Sequence, residues 1–255
     1  MSAEDGGHLP AAVAALANRD YEAGGDTYTR AAWRGLAEPR EGQGPFDADE
    51  KGWVGGALGR LATAAVAYRV AGRTSRAKRR GVEGVAIARD LGSALDHPLQ
   101  AACLDEFVAD FRAVGGLDDP EEAYREAAGA YRDAADGIED PRAWATTPLF
   151  EGAAATIRQV ARGLADGEIA VGWEDLHGDD PGDPEAFLAR RTTYKRQRFP
   201  GLIERAVGEG HLAAPRGTTA YDTDAYRCPK CGSTDVNWVA DNTLCLRCSA
   251  PVERR

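Results

Sequence analysis

Two short cysteine pairs near the C-terminus, Cys228 with Cys231 and Cys245 with Cys248, limit what this chain can fold into more than any other feature. In CPKCGSTDVNWVADNTLCLRC each pair has the Cys-x2-Cys spacing, and thirteen residues separate the pairs. A Cys-x2-Cys turn sets two thiolates on one edge of a tetrahedron, so two such turns complete the four-ligand shell that zinc prefers. Pro229 and Gly232 suit a tight knuckle in which backbone amides reach the sulfurs. Val236, Trp238 and Val239, then Thr243 and Leu244, alternate as two strands of a hairpin, with Asp241 and Asn242 as its turn. A unit of about 28 residues cannot bury enough surface to fold unaided, and metal binding would supply most of its folding energy. Cys228, Cys231, Cys245 and Cys248 are therefore read as ligands of one structural zinc ion. Four thiolates leave no open coordination position for catalysis.

The rest of the chain reads as helix. The hydrophobic fraction is 43%. Much of it is alanine, and β-branched and aromatic residues are sparse before residue 220, which argues for packed helices over a large sheet. Apolar residues recur at helical spacing. Leu58, Leu61, Ala65 and Tyr68 form one stripe, Leu99, Cys103, Phe107, Phe111 and Val114 another, and Phe150, Ala153, Ile157, Val160 and Leu164 a third. Gly72, Gly115 with Gly116, and Gly167 are expected helix ends, and residues 38 to 50 read as a loop. Residues 185 to 199 read as a basic helix interrupted at Pro200, with a short helix through Leu202, Ile203, Ala206 and Val207 beyond it. The expected architecture is a mainly α domain over residues 1–212, a linker at 213–226, and a small β unit over 227–255. On this reading the β unit is an appended contact module, whose loss leaves the helices intact.

Two resemblances sharpen this reading. Residues 20 to 32 and 118 to 135 look like the second helix of a tetratricopeptide repeat, with Tyr21, Ala23, Tyr28 and Ala31 close to that pattern, as are Glu122, Ala123, Tyr131 and Ala134. Residues 75 to 90 supply a third second-helix segment. These segments start roughly 43 to 55 residues apart, longer than the tetratricopeptide period of about 34. The resemblance implies an array of tetratricopeptide-like helical hairpins with a concave groove for a partner peptide. The cysteine segment resembles the N-terminal zinc ribbon of transcription factor IIB. Cys228, Pro229, Cys231, Gly232 and Ser233 match its first knuckle, and Cys245 and Cys248 its second. That family often has glycine after the last cysteine, where this chain has Ser249, which implies a less regular second knuckle. Iron in a rubredoxin-like site is the competing metal, and a redox dithiol the competing chemistry.

The net charge is −10, and arginine outnumbers lysine by 27 to 4. With the high alanine and glycine content, this looks like the proteins of halophilic archaea. It gives an acidic, strongly hydrated surface and a poor prior for non-specific nucleic-acid binding. Two basic clusters stand out against it. Arg73, Arg76, Lys78, Arg79 and Arg80 form the first, and Arg190, Arg191, Lys195, Arg196 and Arg198 the second. They are candidate contacts to phosphate or to an acidic partner, or else they pair with the chain's own carboxylates. Glu174, Asp175, His177, Asp179 and Asp180 crowd one acidic segment, read as an exposed loop. No phosphate-loop motif, dinucleotide fingerprint or catalytic triad spacing is present.

The N-terminus has acids where a signal peptide needs bases, and no apolar run reaches membrane-spanning length, so a cytoplasmic protein without membrane contact is expected. Cysteine pairs in such a reducing compartment are metal ligands before they are disulfides. The functional expectation is a non-enzymatic protein–protein interaction adaptor with an unidentified protein partner. A nucleic-acid- or transcription-associated factor is the alternative.

Overall fold

A computed structural model describes residues 7–37, 53–163 and 169–254. The expected loop at 38 to 50, and Leu164 with the helix end at Gly167, lie outside the described residues. The described chain is an array of helices followed by short antiparallel strands around the four cysteines. No helix among the described residues is long and apolar enough to cross a membrane.

Three helical hairpins stack in sequence: α1 (His8–Ala17) with α2 (Tyr21–Ala37), α3 (Trp53–Val70) with α4 (Thr74–Ser93), and α5 (Pro98–Gly115) with α6 (Pro120–Asp133). The three segments read as second helices are α2, α4 and α6. The hairpins pack in order, α2 on α3 and α4 on α5. Their ends follow local chemistry. Pro98 and Pro120 stand in first turns, where the missing N–H costs nothing. Gly116 closes α5 at φ +61°, a left-handed position that glycine takes without a Cβ penalty. Between α4 and α5 the approach is close enough that a Cβ on Gly84 would run into the Phe111 ring.

The next helices return onto this stack. α7 (Pro141–Ala145) leads into α8 (Pro148–Ala161), which lies against α3 and α5. α9 (Trp173–Leu176) leads into α10 (Pro184–Glu209), which lies against α6, α8, α3 and α5. The chain's own α8 and α10 thus cover the face of α3 and α5, so a peptide groove along that face is filled from within. α10 is one continuous helix and not two. Pro200 sits inside it, and the burial of Phe199, Ile203 and Ala206 on both sides of the proline offsets the missing backbone hydrogen bond.

The boundary between helices and ribbon also differs from expectation. Residues 213–226 are no free linker. Ala213 and Ala214 are buried, β1 (Thr218–Ala220) pairs with β3 (Val236–Val239), and β3 pairs with β4 (Asn242–Cys245) to give the sheet order β1-β3-β4. β2 (Tyr226–Arg227) pairs with β5 (Glu253–Arg254) in a second small sheet. The buried Asn237 side chain locks the entry to β1, accepting from Gly217 N at 2.8 Å and donating to Pro215 O at 2.9 Å. The hairpin turn is Ala240–Asp241, both at positive φ, one residue earlier than the sequence suggested. Asn242 stays in the strand, paired with Val239, and its side chain donates to Pro10 O at 3.1 Å.

Leu244 belongs to the main helical core, with Val239 and Ala240 packed against it. Arg162 Nη2 donates to Leu246 O at 3.3 Å, and Ala214 N donates to Ser249 Oγ at 3.2 Å. The ribbon is welded to the helices rather than appended to them.

Candidate metal centre

Each cysteine pair sits on its own knuckle, and the two knuckles repeat one hydrogen-bond pattern. Cys228 N donates to Ser233 O at 2.8 Å and Gly232 N to Cys228 O at 3.0 Å. Cys245 N donates to Ala250 O at 2.7 Å and Ser249 N to Cys245 O at 3.0 Å. Gly232 at φ +75° and Ser249 at φ +58° take the same left-handed step. The second knuckle is therefore as regular as the first. Serine accepts a strained backbone there, and its hydroxyl binds the Ala214 amide, a contact glycine cannot make.

The four sulfurs converge. Cys228 Sγ lies 3.6 Å from Cys248 Sγ and Cys231 Sγ 3.5 Å from Cys245 Sγ, and all four fall within 4.8 Å of one another. Cys228 and Cys245 are buried, Cys248 is half-buried and Cys231 is exposed. A hydrogen bond to Cys248, then burial, push the Cys245 thiol well up, and burial also raises Cys231. Backbone amides near the sulfurs act in the other direction, as thiolate ligation requires. The arrangement can hold one metal ion, and its binding would release the thiol protons. Beside the second knuckle, Arg247 Nε donates to Asp235 Oδ2 at 2.6 Å, while Asp235 Oδ1 accepts from Asp222 N at 3.0 Å.

The basic clusters divide. In the first, Arg76 pairs with Asp26 at 2.9 Å, and Arg79 and Arg80 pair with Glu83 at 3.1 and 2.9 Å. Lys78 is exposed on the same helix. In the second, Arg190 and Arg198 are exposed and Arg196 half-buried, but Arg191 and Lys195 face inward, 2% and 0% exposed. These two cannot reach a phosphate or an acidic partner. They form an internal network with Glu106 and Asp110 of α5, neither of which the sequence reading singled out.

Arg191 Nε and Nη2 grip Glu106 at 2.6 and 2.7 Å. Lys195 Nζ reaches Glu106 at 2.7 Å, Asp110 at 2.6 Å and Ala153 O at 2.7 Å. Tyr131 donates to Glu106 at 2.7 Å and Tyr124 to Asp110 at 2.6 Å. Burial alone would raise the Glu106 carboxyl, but Arg191 and Lys195 hold it well below the usual range. Asp110, more weakly compensated against burial, is pushed up to about 6. Glu106 and Asp110 stand four residues apart on α5, and Arg191 and Lys195 four apart on α10, so the two faces meet in register.

The acidic segment around His177 gathers no metal-binding group among the described residues. Asp175 accepts from Gly172 N at 2.8 Å and Asp180 from Gly182 N at 2.8 Å, as turn residues do. His177 itself is buried and stacked on Trp173 at 3.7 Å. Compared with known proteins, the chain matches no family model, no curated protein and no solved structure, so its site is read from its own geometry.

Proposed function

We propose that the four thiolates hold one structural zinc ion and that the protein is a non-enzymatic adaptor for other proteins. The convergence of the four sulfurs carries the metal assignment. Zn–S bonds of about 2.3 Å imply tetrahedral edges of about 3.8 Å, close to the 3.5 and 3.6 Å separations of the two sulfur pairs. A closed four-thiolate shell builds structure and does not activate water.

With the groove of the hairpins filled by α8 and α10, the adaptor reading draws on aromatic residues of the ribbon. Tyr221 is 48% exposed, and Tyr226 and Trp238 meet edge to face at 6.0 Å. Aromatic side chains of this kind anchor protein interfaces. The alternative, a nucleic-acid- or transcription-associated factor, leans on basic clusters whose members largely bind the chain's own carboxylates.

Elemental analysis of purified protein with reduced cysteines is expected to find one zinc per chain, and an equivalent of iron instead would replace zinc as the metal. Affinity purification at low and at molar salt, in keeping with a halophile-like acidic surface, tests the rest. A defined protein partner retained by the wild type and lost with Tyr221→Ala or Trp238→Ala supports the adaptor. Tight nucleic-acid binding with no protein partner overturns it.

A further inference from the structure

The four converging sulfurs are not equivalent. Cys228 and Cys245 are buried and Cys248 is half-buried, while Cys231 is exposed among the described residues. Cys231 stands on the first knuckle between Lys230 and Gly232, both exposed. Arg227, exposed on β2, brings its Nη2 to 3.8 Å from the place a Cβ on Gly232 would take. One sulfur of the shell is thus open to solvent with basic residues beside it, and the other three are wholly or partly screened by the fold. Their contacts also have a direction. Cys231 Sγ lies 3.5 Å from Cys245 Sγ and Cys228 Sγ 3.6 Å from Cys248 Sγ, so both contacts run between the knuckles and not within a Cys-x2-Cys pair.

We infer that Cys231 is a site of oxidation by hydroperoxides, that Cys245 is its resolving partner, and that the bond formed between the knuckles releases the metal. This inference rests on the zinc reading above. A ligand sulfur is a thiolate, the form that attacks peroxide, and neighbouring cations favour that attack. The Cys231 thiolate attacks one oxygen of the peroxide, the O–O bond breaks, and hydroxide leaves, giving a sulfenic acid. The Cys245 thiolate then attacks the Cys231 sulfur, the S–O bond breaks, and a second hydroxide leaves as the disulfide forms. The two thiolates give up two electrons, the peroxide takes both, and solvent protonates the two hydroxides. An S–S bond of about 2.05 Å asks the sulfurs to close by only about 1.5 Å from their present contact.

Two thiolates then remain, half of the shell that zinc requires. The bond still tethers one knuckle to the other, so Cys228 and Cys248 stay close and a dithiol reductant can restore all four ligands. A catalytic dithiol would need both sulfurs of one Cys-x2-Cys pair within reach of a substrate, whereas each pair here has a buried member, Cys228 in the first and Cys245 in the second. Tyr226 and Trp238 pack on the cluster that holds Cys228, Val236 and Cys245. Loss of the metal therefore reaches the aromatic residues of the ribbon.

The test treats the intact, zinc-loaded protein with hydrogen peroxide after reductant is removed. A chromogenic indicator follows zinc release, and samples alkylated at intervals are mapped by mass spectrometry, with dimedone in a parallel sample to trap sulfenic acid. Dimedone is expected on Cys231 before any other cysteine, followed by a Cys231–Cys245 bridge and release of about one zinc ion per bridge. Cys103, buried in the helical core, should stay reduced, and Cys103→Ala should leave the rate of release unchanged. Dithiothreitol with added zinc should restore the metal content. Should Cys103→Ala fail to fold, mapping of the wild type still decides. Protein that holds no zinc before peroxide is added overturns the metal reading itself. Zinc present at the start, followed by first labelling at Cys248, by bridges within the knuckles, or by zinc retained after Cys231 is oxidised, overturns this inference and leaves the metal reading intact.

Discussion

Removing the metal is expected to weaken the helical body as well as the ribbon. Without its ion the ribbon keeps only a small cluster around Val236, Ala250 and Val252, too little to stay folded alone. Its contacts to the helices would go with it. Three buried or half-buried hydrogen bonds, from Asn242 to Pro10, Arg162 to Leu246 and Ala214 to Ser249, are worth about 1 kcal/mol each. Uncovering Leu244, 1% exposed, costs about 2 kcal/mol. A loss of about 5 kcal/mol is a large share of a typical stability of roughly 5–15 kcal/mol. For a chain of this length it lowers the melting temperature by about 10 to 20 °C. The assay is circular dichroism at the helical band during heating, with and without a strong chelator under reducing conditions, and with Cys245→Ser as a genetic equivalent. One transition that shifts down as a whole fits a welded ribbon. A helical transition that keeps its midpoint would refute the reasoning and restore the picture of an appended module.

Lys195→Met should cost about 3–5 kcal/mol, because Glu106 and Asp110 lose a shared buried cation, while Arg190→Gln on the exposed side of the same helix should change denaturant midpoints by less than about 0.5 kcal/mol. Ser249→Gly should be near neutral by thermal melting, since relief of the left-handed strain offsets the lost bond to Ala214, whereas Ser249→Ala keeps the strain and should lose about 1 kcal/mol. Gly84→Ala should destabilise by about 1–3 kcal/mol, as its Cβ would enter the Phe111 ring. Acidification should destabilise the fold between about pH 6.5 and pH 4. Burial first, then nearby arginines, lowers His177 and His211 to about 4, so the unfolded chain takes up protons that the fold refuses. Asp110, raised to about 6, acts in the opposite direction over much of that window, but it is one group against two. Each histidine contributes on the order of 1–3 kcal/mol, and denaturant midpoints measured from pH 4 to 7 would expose a flat or reversed profile.

What could be read beforehand depended on whether a feature is local. The metal knuckles are local: two spacings, a proline and a glycine specify them, and the left-handed step at Ser249 was the one place where the pattern seemed to falter. Helix existence was local too, since the apolar stripes of α3, α5 and α8 and the glycine or proline at their ends lie within one or two turns. Apart from the turn at Ala240–Asp241 and the knuckle at Ser249, the failures were long-range. Pro200 looked like a break because its cost is written in the sequence, whereas the burial of Phe199, Ile203 and Ala206 that offsets it exists only in the assembled fold. Residues 213–226 looked like a linker because their partners, Asn237 and β3, lie some twenty residues away. Arg191 and Lys195 looked like a surface patch for the same reason, with Glu106 and Asp110 85 positions distant. Yet the spacing of four on each helix was visible in both segments. Paired carboxylates at i and i+4 on one apolar helix and paired cations at i and i+4 on another are a legible signal once buried pairing is weighed beside surface binding. That signal also separates the two basic clusters physically. Arg76 meets its carboxylate on the surface, where salt screens the pair, while Lys195 meets two carboxylates where water is excluded and fixes how α10 registers on α5.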